Sequence, residues 1–169
     1  MKLHIGGKEV KEGWKILNIQ KNYGVDFVGD ISDLSQFDDN SIEEIYASHV
    51  LEHVAQKNVE KTLKEIHRVL IKNGKFYVSV PDMDILCKVF IDPKAPQQVK
   101  MSVMRMMFGG QTDEFDFHYF GWNDEFMKDY LFKTGFKKIE RVKSFSLFKD
   151  TSDYAPFGPP ISLNVIAYK

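Results

Sequence analysis

The chain has 169 residues, one cysteine and 23 Lys+Arg against 24 Asp+Glu, a formal net charge of −1. At roughly 100–200 residues per domain, this length predicts one domain over residues 1–169 with room for a substantial core. With 43% hydrophobic and 28% charged residues, the composition excludes wholesale disorder, collagen and coiled coil, and the near-neutral charge lacks the basic footprint of a nucleic-acid partner. No apolar run approaches the roughly 20 residues that span a bilayer, so no membrane span is expected. The segment Met1–Gly7 has no signal-type apolar core and Cys87 has no disulfide partner, which predicts a cytoplasmic protein.

In chain order, Leu3–Ile5, Ile16–Ile19, Val25–Val28 and Ile42–Ala47 read as short strands, closed by Gly6-Gly7, polar residues or Gly29-Asp30. Val59, Leu63, Ile66 and Leu70 recur at helical spacing, Glu60/Lys64 and Lys61/Glu65 are favourable pairs, and Asn73-Gly74 is the expected stop. Lys75–Val80, ended by Pro81, is the clearest strand, so this strand-helix-strand unit predicts a parallel pair with a right-handed crossover. The methionines of Val99–Phe108 read as a core stripe. Asn123 reads as the N-cap of a helix that buries Phe126, Met127, Tyr130 and Leu131 before Gly135. Ile139–Phe145 and Ile161–Ala167 are two further strands around an Asp150–Pro160 loop. The fold class expected is α/β, with a mostly parallel sheet and an antiparallel strand near the C-terminus.

Ligands of open parallel sheets bind beyond the carboxyl ends of the strands. Those ends carry Gly6-Gly7, Asn18, Asp30, Ser48-His49 and Pro81-Asp82-Met83-Asp84. A glycine pair lets backbone approach a ligand; a polar residue ending the second strand suits ribose hydroxyls, and an acid ending the third suits an adenine amino group. The three positions together describe a nucleoside pocket, although Asn18 and Asp30 each serve equally as turn formers.

The run Asp38 to His53 with Ser48-His49-Val50-Leu51-Glu52-His53, then Glu65–Leu70, Asn73-Gly74-Lys75 and Val80-Pro81-Asp82, resembles the class I S-adenosylmethionine-dependent methyltransferases of the small type 11 group. Phe108–Gln111, Asp116–His118 and Ile161–Val165 are similar to a compact subgroup of predicted bacterial methyltransferases associated with surface-glycan gene clusters. The resemblance implies a Rossmann-like methyltransferase fold and S-adenosylmethionine as cofactor. By position it implies Gly6 and Gly7 under the methionine moiety, Asn18 at the ribose, Asp30, Ile31 and Ser32 at the adenine, and Ser48 and His49 beside the sulfonium. Two departures weaken that pocket: the first loop lacks its third glycine and a helix of normal length, and Asn18 replaces a charged acid.

In-line alignment supplies much of methyl transfer, and what the protein adds is a base for the acceptor. His49, Asp82 and His118 are the catalytic candidates, and Asp84, Asp116 and Tyr119 the substrate candidates, the last two lying in the aromatic run Phe115–Trp122. His53 is expected to hold a turn, and His4 and His67 to be structural. The His49/His53 pair completes no zinc pattern, so no metal is expected. The functional expectation is methyl transfer to a small molecule or glycan intermediate. Its alternative is a catalytically inactive binding or scaffold protein of the same fold, homodimeric through its aromatic and methionine surface. A nicotinamide oxidoreductase fits worse, because the Gly-x-Gly-x-x-Gly fingerprint is absent.

Overall fold

The computed structural model describes residues 1–169. Five strands, β1 (Lys2–Ile5), β2 (Trp14–Asn18), β3 (Phe27–Val28), β4 (Ile42–Ser48) and β5 (Leu70–Pro81), run parallel to one another. Strand β6 (Lys138–Val142) pairs antiparallel with β7 (Ser162–Tyr168), which pairs antiparallel with β5. The order is β3-β2-β1-β4-β5-β7-β6, so the chain changes direction across the sheet between β1 and β4. Carboxyl ends of neighbouring strands splay a crevice open at such a switch point.

Period-two alternation divides the strand side chains between two different cores. Leu3, Ile5, Leu17, Ile45, Ala47, Phe76, Val78 and Val80 belong to the main core, together with Val59, Leu63, Ile66 and Val69 of helix α1 (Gln56–Val69). His4, Trp14, Tyr46 and Tyr77 face the other way. There Phe145, Leu147 and Phe148 of the loop after β6 cover them with aromatic contacts, such as His4 to Phe148 at 4.1 Å and Trp14 to Phe148 at 5.2 Å. The six residues Lys8–Gly13 before β2 form no helix, in line with the shortened first loop, and the loop after β6 covers this face of the sheet instead.

Several boundaries differ from expectation. Helix α1 ends at Val69 and β5 begins at once, so Asn73-Gly74 is an irregularity inside the strand, Asn73 taking φ +63°, rather than the helix stop. Glu60 pairs with Lys64 at 2.6 Å, but Glu65 bonds Arg68 instead of Lys61. Strand β6 stops at Val142, short of Phe145, because the chain turns there to lay Phe145 and Phe148 over the sheet.

Helices α2 (Met83–Ile91) and α3 (Gln97–Phe108) pack on each other through Leu86 and Val103, with Ile161 just before β7 completing the cluster. The methionine stripe on α3 is core only in part: Met106 and Met107 are half-buried against the Leu86 and Val103 cluster, while Met101 and Met104 are exposed. Helix α4 (Asp124–Lys133) starts as expected, with Asn123 accepting from the Phe126 amide at 2.9 Å. It buries Met127 and Leu131 but leaves Phe126 52% exposed. No helix is long and apolar enough to cross a membrane.

Candidate active site

A cleft of about 660 Å³ opens at the carboxyl ends of β1, β2 and β4, on the switch point. Among the expected cofactor residues, Gly6, Asn18, Asp30, Ile31, Ser32 and His49 line it. Gly7 and Ser48 do not. Gly6 takes φ +74°, and a Cβ there would stand 2.5 Å from Val50 Cγ2, so the turn after β1 requires glycine. Its amide donates to the Leu17 carbonyl at 2.8 Å, which fastens the glycine turn to β2.

Asn18 donates to the Gly7 carbonyl at 3.2 Å and accepts from the Gln20 amide at 3.1 Å. Its amide group therefore ties the first loop to the end of β2, and one N–H and one oxygen lone pair remain for a ligand. Asp30 accepts from the Ser32 amide at 2.7 Å through one oxygen, which leaves the other carboxylate oxygen free at an exposed position. The buried Ile31 supplies apolar surface beside it.

The opposite wall comes from two segments that strand-end reasoning does not reach. A 3₁₀ turn, Leu51–His53, follows β4 directly, and the 112–116 loop follows α3. The backbone carbonyl of Glu52 accepts from the Tyr119 amide at 2.8 Å, which joins the two segments. Thr112, Phe115, Asp116 and Tyr119 thereby border the cleft, as does His53. Asp116 accepts from the Thr112 amide and hydroxyl. Burial acts to raise its carboxyl, but these bonds outweigh it and hold the group below the usual carboxylate range.

His49 ends β4 in the left-handed region at φ +53°, its amide bonded to the Ser79 carbonyl. Its Nε2 lies 2.9 Å from Ser162 Oγ, whose single proton goes to the Thr151 carbonyl. His49 Nε2 must therefore donate, leaving Nδ1 as its exchangeable position, 3.2 Å from Glu52 Oε1.

The remaining candidates sit elsewhere. Asp82 is 1% exposed and engaged, capping α2 through the Asp84 and Ile85 amides and meeting Arg141 at 2.6 Å, so it is not placed for proton transfer in the cleft. Asp84 lies in the first turn of α2, 3.5 Å from Asn123 Nδ2, also outside the cleft. His118 stands behind His53, ring centroids 4.8 Å apart. Its Nδ1 is bonded to the Met106 carbonyl, and burial lowers its basicity.

The expectation for His53 was a turn held by side-chain bonding, and its Nδ1 does bond the Phe117 carbonyl at 3.0 Å. It is also a cleft residue. In the sequence Glu52 stood out only as part of the Ser48–His53 run and not as a site residue, yet it is a buried carboxylate beside His53 and His118. The His49-x-x-Glu52-His53 spacing was the available signal; the approach of His118 was not visible in it.

A family model described as a methyltransferase domain matches residues 7–78. No curated protein sequence is similar to the chain. Among solved structures, a S-adenosylmethionine-dependent methyltransferase from Archaeoglobus fulgidus is 14% identical with a TM-score of 0.61, covering 99% of this chain and 85% of that one. One from Thermotoga maritima is 15% identical with a TM-score of 0.60, covering 99% and 81%. The Burkholderia thailandensis 1,6-didemethyltoxoflavin-N1-methyltransferase, with 1,6-didemethyltoxoflavin and S-adenosylhomocysteine bound, is 14% identical with a TM-score of 0.63, covering 99% and 70%. The chain thus has the Rossmann-like α/β fold of those methyltransferases, and residues 7–78 match a methyltransferase-domain family model.

Proposed function

We propose that the protein is a S-adenosylmethionine-dependent methyltransferase acting on a small molecule or glycan intermediate. The observation that carries this reading is the switch-point cleft, which gathers the Gly6 turn, Asn18, Asp30-Ile31-Ser32 and His49 along one wall. Its size falls within the range of small-molecule sites, about 300–1,000 Å³. The free Asp30 oxygen suits an adenine amino group, Ile31 suits the ring face, and the remaining Asn18 donor and lone pair suit a ribose hydroxyl. The cofactor supplies an electrophilic methyl group on a sulfonium. The chain's share is to bind and align, with His49 at the end of β4 beside the expected methyl position.

The exposed rings of Phe115 and Tyr119 flank the carboxylate of Asp116 on the far wall, a surface suited to stacking on a sugar. One observation favours the inactive-scaffold reading: Asn18 is neutral and partly committed to Gly7 and Gln20, so the ribose is held less firmly than by a free carboxylate. Calorimetric titration with S-adenosylmethionine and S-adenosylhomocysteine decides between them. Micromolar binding is expected. Asp30→Ala should weaken it about tenfold, the equivalent of a hydrogen bond to a charged group. Failure of either ligand to bind at millimolar concentration would establish the scaffold reading instead.

A further inference from the structure

We propose that Glu52, His53 and His118 form a binding site for a divalent first-row transition-metal ion in the cleft wall. One ligand atom from each residue lies within 4.8 Å of the others. Ligands about 2.0–2.2 Å from a shared ion stand roughly 3–4 Å from one another, so small side-chain movements complete the set.

Three observations indicate a built site. Glu52 is 1% exposed, and neither of its carboxylate oxygens has a hydrogen-bond partner. His49 Nδ1 stands 3.2 Å from Oε1, at ion-pair distance without a hydrogen bond, and nothing meets Oε2. A buried carboxylate left in this condition is costly unless a cation meets it.

The second is the tautomer of both histidines. Carbonyl oxygens only accept, so the contacts of His53 Nδ1 to the Phe117 carbonyl and of His118 Nδ1 to the Met106 carbonyl place a proton on each Nδ1. Each neutral ring is left with its Nε2 lone pair free. A backbone carbonyl orienting the far nitrogen is the usual support of a metal-binding imidazole.

The third is that backbone bonds hold the ligands in place. Tyr119 donates to the Glu52 carbonyl at 2.8 Å and His118 donates to the Phe108 carbonyl at 3.1 Å. Gly109, at φ +86°, lets the strand of chain around Asp116 come so close that a Cβ would stand 2.2 Å from the Asp116 carbonyl oxygen.

One carboxylate and two imidazoles suit a borderline ion such as Zn²⁺, and the harder Mn²⁺ less well, whereas Ca²⁺ takes an all-oxygen shell. Three protein ligands leave coordination positions open, and His53 borders the cleft. Glu52 and His118 lie behind His53 and outside the cleft lining, so an oxygen of the acceptor would reach the ion only from the His53 side. That assignment rests on the methyltransferase reading; the ion site itself does not.

The test is metal titration of the purified chain with Zn²⁺ and Mn²⁺, followed by elemental analysis after desalting, with Co²⁺ absorption as a spectroscopic readout. One ion per chain, a rise in unfolding temperature and visible Co²⁺ bands are expected. Glu52→Gln, which keeps the buried shape, and His118→Asn should each weaken binding at least tenfold, whereas His67→Asn, outside the cluster, should not. Absence of stoichiometric binding by any of the three ions, or equal binding in wild type, E52Q and H118N, would overturn the site. A parallel titration with S-adenosylmethionine separates the two readings: ion binding without cofactor binding refutes methyl transfer and leaves the metal site standing, and cofactor binding without ion binding does the reverse.

Discussion

Asp82 caps helix α2 with one carboxylate oxygen and meets Arg141 with the other at 2.6 Å, while being 1% exposed. Truncation would remove the cap and strip the partner from a group already taken out of water. Asp82→Ala should therefore destabilise the fold by about 2–3 kcal/mol, less than a fully buried pair because Arg141 can return to solvent. Chemical denaturation checks this, and cofactor affinity should change little. Gly6→Ala meets both a left-handed backbone and a 2.5 Å approach to Val50. A loss of about 1–3 kcal/mol is expected from the strained backbone, together with weaker cofactor binding, because the turn it distorts is the floor of the cleft. Both residues were legible as strand ends, where Asp and Gly signal a break. Which of them meets ligand and which meets Arg141 depends on β6, more than fifty positions downstream of Asp82.

At the scale of elements, the strands and the helices with strong periodic patterns were readable, since each carries its burial pattern locally. Helices α2 and α3 were not, because their buried faces are narrow: Leu86 and Val103 are the fully buried positions, and each helix covers the other rather than the sheet. The segment 145–153 is the opposite case: Phe145 read as the end of a strand and Asp150 as the start of a loop, yet Phe145, Leu147 and Phe148 cover the sheet as a helix layer would. Tyr46 Oη bonds Asp150 at 2.7 Å and anchors that segment over the aromatic face. Burial pushes the Tyr46 hydroxyl far up in pKa, so it stays a donor at all ordinary pH. Tyr46→Phe should cost about 1–2 kcal/mol, measurable in urea, because it also leaves a partly buried carboxylate short of a partner.

The whole molecule contains an acid-sensitive point in its second core. Burial against Tyr46 and Phe148 lowers the His4 pKa to about 4, with Asp150 and Glu9 opposing. The unfolded chain, with a His pKa near 6.5, takes up a proton before the folded one does. The His4 contribution is thus fully present above about pH 6.5, declines as pH falls toward 4, and levels off below. Its total is on the order of 3 kcal/mol. Denaturation curves between pH 7 and 4 should show this slope in wild type and a smaller one in His4→Gln.

The sequence by itself determined the α/β class, a mostly parallel sheet and several of the strand-end residues that line the cleft, Gly6, Asn18, Asp30 and His49 among them. Period-two burial, helical spacing and breaker residues are properties of a few adjacent positions, and a parallel sheet places successive strand ends on one edge. The tertiary structure decided the second wall. Glu52 and His53 come to His118 only because the chain after α3 returns to bond the turn following β4, and that return depends on backbone bonds between distant segments. Such contacts arise from how the whole chain closes on itself, and no local pattern of residues specifies them.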